Sequence, residues 1–281
     1  MPRAAVIQMC SGPDPEVNFA VARRLLEEAA ETGAHLAVLP ENFSFLGCRD
    51  GDRIGCAEPP GRGPAQDFLS ATARDLGLWI VGGTLPVLEA GDARPRAASI
   101  LFDAGGRALA RYDKLHLFDV SLPGADEGYR ESAGTSPGRG AVVCDSPVGR
   151  LGLAVCYDVR FPELFRGMAD AGLEAISLPA AFTVPTGRAH WELLVRARAV
   201  DNLSFVLAAA QWGEHEGGRR TWGDSMIVDH WGQVLARRAE GVGIVVADLD
   251  PEAQRDARRR FPALAHRLPP ETLRMCTENK E

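Results

Sequence analysis

The chain has 281 residues, 46% of them hydrophobic and 25% charged, which is enough to bury a sizeable core. Its 30 glycines and 19 prolines follow no period, and no apolar run nears the ~20 residues of a membrane span, so collagen-like, disordered and membrane-spanning classes are excluded. A formal charge of -7 argues against nucleic acid or an anionic membrane as partner, and MPRAAVIQMCSG lacks the long apolar stretch of a secretory signal, so a soluble cytoplasmic protein is expected.

Residues 4–9 (AAVIQM) read as a buried strand. Residues 18–32 place Phe19, Ala22, Leu25, Leu26 and Ala29 on one face, which predicts an amphipathic helix. A strand over 36–39 ends at Pro40, a helix follows over 66–76, and strands follow over 79–85 and 98–102. Asp103 to Gly106 (DAGG) is a hairpin turn signal leading to a strand at 108–112. After a stretch rich in Gly, Pro and Ser, strands are predicted at 142–144 and 151–155, then a helix at 162–171. The remaining pattern is a strand at 175–178, a helix at 189–202, strands at 205–209, 226–228, 234–236 and 244–247, and a helix at 252–260. Some strand links are helices and others hairpins, so the sheets should be mixed, and their number favours two packed sheets with helices outside. The cluster Arg258, Arg259, Arg260 reads as cations on the solvated end of the last helix. One domain over 1–267 and a loosely held tail over 268–281 are expected.

Among 31 basic residues only Lys114 and Lys280 are lysines. A lone internal lysine in an arginine-dominated chain suggests a position that needs a compact ammonium rather than a planar fork. The six cysteines (Cys10, Cys48, Cys56, Cys144, Cys156, Cys276) form no Cys-x-x-Cys, and the six histidines show no paired i, i+4 spacing. No metal site, disulfide framework or cofactor is therefore expected, and no dinucleotide, phosphate-loop or serine-elbow motif is present.

Three reactive residue types sit where strands end. Cys156 lies between the strand at 151–155 and a helix start at Phe161-Pro162-Glu163, a place suited to a nucleophile beside free backbone N–H groups. It equally suits the last buried residue of its strand. Glu41 follows Pro40 beside the apolar FSFLG segment, where a desolvated carboxylate could act as general base, although a solvated loop glutamate also fits. Lys114 follows the strand ALARYD.

These segments, LPENF with Glu41, YDKLHLFD with Lys114 and GLAVCYDVRFPEL with Cys156, resemble the nitrilase superfamily of carbon–nitrogen hydrolases. The resemblance runs from AVIQM to about Arg267 and implies a carbon–nitrogen hydrolase domain over 1–267. It implies an α+β fold, a four-layer α-β-β-α sandwich of two mixed sheets with outer helices, assembled as a homodimer. It also implies a Glu–Lys–Cys triad, with Glu131 in YRESAGTSPG as a second glutamate. In that chemistry Glu41 takes the thiol proton, Cys156 attacks an amide carbonyl, and Lys114 with the Tyr157 N–H meets the developing oxyanion.

Within the superfamily, AAFTVPTGRAHWELLVRARAVDN, AAAQWGEH and DHWGQVLA are similar to the amidase branch that acts on deaminated glutathione and on ω-amides of keto acids. This implies a carboxylate-bearing small amide as substrate, with Arg160 and Thr186 on the carboxylate and Phe182, Phe45 and Tyr157 as pocket walls. AAAQWGEH favours deaminated glutathione, giving 2-oxoglutarate and Cys-Gly, over the ω-amides, while HRLPPETL departs from the usual C-terminal segment. From the residues alone, Arg160 also fits as a partner of Asp158 or Glu163, and Thr186 as a helix cap. Two other classes stay open: a Cys–His hydrolase using His116 or His190, and a non-catalytic dimeric scaffold.

Overall fold

The computed structural model describes residues 1–49, 51–121, 128–268 and 272. The first half comprises β1 (Arg3–Gln8), α1 (Pro15–Glu31), β2 (Leu36–Val38), α2 (Pro64–Leu76), β3 (Trp79–Val81), β4 (Leu85–Val87), β5 (Arg96–Phe102) and β6 (Ala108–Asp113). A small hairpin of β7 (Asp119–Ser121) and β8 (Gly128–Arg130) leads to β9 (Val142–Ser146), β10 (Gly149–Leu153), α3 (Pro162–Asp170), β11 (Ala175–Ala180) and α4 (Val184–Asn202). The chain ends through β12 (Phe205–Ala210), β13 (Trp212–Glu214), β14 (Arg220–Trp222), β15 (Ser225–Val228), β16 (Val234–Arg238), β17 (Gly243–Asp248) and α5 (Pro251–Arg260).

Seven strands form one sheet in the order β17-β1-β2-β3-β5-β4, with β6 also paired to β5. The second sheet runs β16-β15-β12-β11-β10-β9. Each has a parallel centre, β1-β2-β3 or β10-β11-β12, with antiparallel strands at its margins, so both are mixed as the pattern predicts. Period-two alternation allocates the core. Ala4 and Val6 of β1 pack toward the second sheet with Leu36 and Val38, whereas Ala5 and Ile7 face the helix layer containing Leu25, Leu26 and Leu69. On the far side, Phe165 and Met168 of α3 and Trp191, Val195 and Ala199 of α4 cover the second sheet. The result is the four-layer α-β-β-α sandwich, and both central strands are buried on two faces, hence their unbroken apolar runs.

Apart from α3, which starts at Pro162 as expected, the helices start earlier than periodicity predicts, because caps and prolines precede the apolar stripe. Asp14 accepts the Glu16 N–H at 3.0 Å and Pro15 follows it, so α1 begins at Pro15. Thr183 caps α4, accepting the Thr186 N–H at 3.4 Å, so Thr186 is inside this helix and not its cap. The predicted strand over 79–85 divides at Gly82-Gly83-Thr84 into β3 and the start of β4, and the hairpins β7-β8 and β13-β14 are additional. Arg258 is not solvated with its neighbours: it turns inward to donate to the Leu203 and Leu173 carbonyls at 2.9 and 2.7 Å, while Arg259 and Arg260 pair with Asp256. The expected tail lies, except for Leu268 and Thr272, outside the described residues. Among the described residues, no helix is long and apolar enough to cross a membrane.

Leu25, fully buried between α1 and the first sheet, gives a direct check on this packing. Leu25→Ala should lower the unfolding free energy by ~2–5 kcal/mol in urea titration, against less than ~0.5 kcal/mol for Val17→Ala on the exposed face. Equal small losses would contradict the assigned register.

Candidate active site

Glu41, Lys114 and Cys156 stand just beyond the ends of β2, β6 and β10. Two glycines let the backbones converge there. A Cβ on Gly83, whose φ is +48°, would fall 2.1 Å from the Pro40 carbonyl oxygen. One on Gly138 would fall 2.0 Å from the Asp113 oxygen. Each glycine thus allows a close approach to the residue preceding a reactive side chain. The Gln211 side chain donates to the Glu41 carbonyl at 3.0 Å, and the Asn42 N–H donates to Thr84 Oγ1 at 2.8 Å.

Lys114 is 2% exposed, and its Nζ donates to Glu41 Oε1 at 2.7 Å and to Glu131 Oε2 at 2.8 Å. Glu131 Oε2 also accepts the Phe118 N–H at 2.8 Å, and Arg53 approaches Oε1 at 3.4 Å while donating to Thr135 Oγ1 at 3.1 Å. Burial alone would lower the ammonium's pKa, but Glu131 and then Glu41 and Cys156 reverse this and hold it above the ordinary lysine value. For Glu131, burial pushes the pKa up, and Lys114 with Arg53 outweighs it, so the group stays ionised below the usual carboxylate range. The cluster is therefore a buried ammonium clamped between two carboxylates.

Cys156 is also buried, and its thiol is pushed well above the ordinary value, first by burial and then by the Glu41 carboxylate. Lys114 and the Ala181 backbone N–H oppose that shift. The cysteine adopts a left-handed φ of +49° at the head of a 3-10 turn, Cys156–Arg160, a conformation that costs a non-glycine residue of order 1–3 kcal/mol. Fully buried Asp158 holds the turn in place. Its Oδ2 accepts from the Val155 N–H at 2.8 Å and the Tyr112 hydroxyl at 2.7 Å. Its Oδ1 accepts from the His116 N–H at 3.1 Å and lies 2.7 Å from His116 Nδ1. Burial, then Asp158, raises the Tyr112 pKa and keeps it a donor. One carboxylate thereby joins the cysteine turn to β6 and to the segment following Lys114.

Glu41, Lys114, Glu131, Cys156, Tyr157, Phe182 and Thr186 line one cleft of about 470 Å³. This arrangement places a thiol, a carboxylate and a fixed cation around one cleft. The matching stretch is residues 3–259, which fit the carbon-nitrogen hydrolase family. The chain belongs to that family. It is an enzyme that hydrolyses carbon–nitrogen bonds. It is 40% identical to a deaminated glutathione amidase of Yersinia enterocolitica, across 93% of this chain and 91% of that one. Its fold is similar to that of the Caenorhabditis elegans NitFhit protein (TM-score 0.87, 37% identity), matching 95% of this chain and 65% of that longer one. It is also similar to an amidase from Nesterenkonia sp. AN1, whose active-site cysteine was captured carrying acrylamide after Michael addition (TM-score 0.76, 29% identity, 93% and 98% coverage).

Arg160 is not itself among the lining residues of the cleft of this carbon–nitrogen hydrolase but packs against two that are, Tyr157 and Phe182. Its guanidinium lies 5.8 Å from the Tyr157 ring centroid and 5.3 Å from that of Phe182, and 3.3 Å from His190 Nδ1; Asp158 and Glu163 are not its partners. Phe45 lines an adjoining outer cavity instead of the cleft. His116 and His190 are likewise absent from the cleft wall, and among the described residues no histidine lines the cleft beside Cys156. Sequence reasoning did not single out Arg53, Tyr129 or Arg219, all on the wall. Arg53 carries no local signal, since its partner Glu131 is 78 positions away.

The raised thiol fixes a pH dependence. Alkylation of Cys156 by iodoacetamide should still be accelerating at pH 9.0, the ordinary thiol value, because the thiolate forms only above it. In Glu41→Gln the profile should move to lower pH, since the carboxylate that disfavours the thiolate is gone. A wild-type profile that plateaus well below the ordinary value would contradict this electrostatic picture.

Proposed function

We propose that this enzyme hydrolyses the amide bond of a carboxylate-bearing small molecule, deaminated glutathione, to 2-oxoglutarate and Cys-Gly through a thioester on Cys156. The observation that carries the reading is the Lys114 ammonium held between Glu41 and Glu131 in the same cleft as the thiol. The name of the Yersinia enterocolitica relative supports the substrate.

Glu41 accepts the Cys156 proton, and the sulfur forms a bond to the amide carbon. The transfer leaves the buried cluster's total charge unchanged, so burial of the thiolate is offset by neutralising the carboxylate that opposed it. The carbonyl oxygen becomes an oxyanion beside the Lys114 ammonium and the Tyr157 N–H. The tetrahedral centre collapses, the carbon–nitrogen bond breaks, and Glu41 returns the proton to the departing amine. Water, deprotonated by Glu41, attacks the thioester, and the acid leaves as the thiol is regenerated. Glu131, fixed by Phe118 N–H and Arg53, holds Lys114 in register throughout. Arg160, packed over Tyr157 and Phe182, is the proposed partner of the acyl carboxylate, with Thr186 on the cleft wall.

The exposed, free Cys10 and Cys48 fit the cytoplasm, where thiols stay reduced. Trp231 and Phe261, 59% and 54% exposed, form an edge-to-face pair suited to a homodimer contact, which light scattering would reveal as twice the 30.2 kDa chain.

Cys156→Ala and Glu41→Gln should abolish turnover with little loss of stability, and Lys114→Arg should retain under about a tenth of the activity because its wider, more diffuse cation does not fit between the two carboxylates. An acyl group trapped on Cys156 by a slow amide, seen by mass spectrometry, is expected; its absence would reject both this mechanism and catalysis by this thiol.

Specificity gives a separate check. Deaminated glutathione should exceed keto-acid ω-amides in kcat/KM, and both should exceed a simple aliphatic amide. Arg160→Ala should lower the first two by roughly ten- to hundred-fold and the last far less. A uniform loss, or an aliphatic substrate that wins, would overturn the substrate assignment.

A further inference from the structure

A second cavity opens beside the catalytic cleft, and the two share Arg53, Tyr129 and Arg219 on their walls. Among the described residues, the outer wall carries Arg49, Arg53, Arg219 and Arg220 and no aspartate or glutamate, although the whole chain has a net charge of -7. Arg53 is committed to Glu131 and Thr135. Among the described residues, the other three guanidinium groups enter no ion pair. Arg219 has a buried Nε without a hydrogen-bond acceptor, while its guanidinium stands 5.5 Å over the Tyr129 ring. A buried donor left unmatched is costly, and an anion that reached it would recover that cost. The same wall includes Val184 and Pro185, the first turn of the 19-residue helix α4, whose positive end adds to the field.

We propose that this vestibule is a leaving-group subsite that binds the carboxylate of an amine product which is itself an acid, such as the C-terminal carboxylate of a short peptide. The proposal deepens the amidase reading above and rests on it. An amide that releases ammonia needs no second cavity, whereas an amide of a dipeptide has a departing half that must lie outside the cleft. With the acyl half against Cys156, the departing half extends past the shared rim into the arginine-lined space. Arg219 anchors its carboxylate, and Arg49 and Arg220 supply the surrounding positive potential. Contact this far from the reacting carbon accelerates hydrolysis by holding the scissile nitrogen within reach of Glu41.

The test compares two substrates with one acyl half, the leaving dipeptide ending in a free carboxylate in one and in a neutral carboxamide in the other. In Arg219→Gln the ratio of their kcat/KM values, acid over carboxamide, should fall roughly tenfold or more. Arg49→Gln/Arg220→Gln should lower the ratio less, and added salt should lower the wild-type ratio as exposed charges are screened. Equal losses on both substrates in Arg219→Gln would overturn the subsite. If neither substrate is hydrolysed, the amidase reading fails separately, and calorimetry decides the subsite. Cys156→Ala protein should then bind the free dipeptide roughly tenfold more tightly than its C-terminal amide, and adding Arg219→Gln should erase that preference. No preference in the Arg219-containing protein overturns the proposal.

Discussion

The buried ammonium of Lys114 is the constraint on which the site depends. A cation withdrawn from water is unstable unless charge and hydrogen bonds compensate it, and removing one partner of such a set is far worse than never having built it. Here the compensation comes from Glu41 and Glu131 on widely separated segments, at 2.7 and 2.8 Å. That requirement fixes where β2, β6 and the segment after β8 must end relative to one another. Arg53 completes the arrangement by balancing the second carboxylate. Two positive and two negative groups then line the same cleft as a neutral thiol.

In the proposed mechanism, this balance lets a thiol with a raised pKa serve as the nucleophile. Burial and Glu41 both disfavour a thiolate formed by losing its proton to solvent. Moving the proton to Glu41 removes the opposing charge in the same step and leaves the Lys114 attraction in place. The remaining structure keeps the two groups in position for that transfer. Gly83 and Gly138 permit the close backbone approaches, and Asp158 links the strained turn at Cys156 to Tyr112 and His116. The strain at Cys156 is tolerated because several buried hydrogen bonds converge on one carboxylate.

Much of the architecture was legible because its signals are local. The apolar runs of β1, β11 and β12 and the 3.6-residue stripe of α1 each reflect burial on two faces or one. The starts of α1 and α4 lie ahead of their apolar pattern, since Asp14 and Thr183 act through side-chain caps that precede it. The division of β3 from β4 has no clear local signal, because Gly82 and Gly83 interrupt the run between two apolar segments that periodicity joins. Arg258 looks like its two exposed neighbours in sequence, yet of the three only it reaches the Leu173 and Leu203 carbonyls.

The sequence by itself determined the reactive residue types, their places at strand ends and the singular lysine, because residue chemistry and strand termination are written over a few adjacent positions. It also carried the family resemblance, since those short segments keep their order along the chain. Only the tertiary structure decided which charges meet. Arg53 faces Glu131 across 78 positions, Asp158 serves Tyr112 and His116 instead of Arg160, and Arg219 stands at a rim shared by two cavities. Those pairings follow from the packing of two sheets and the convergence of their loops, and no local pattern records the distance between residues so far apart in sequence.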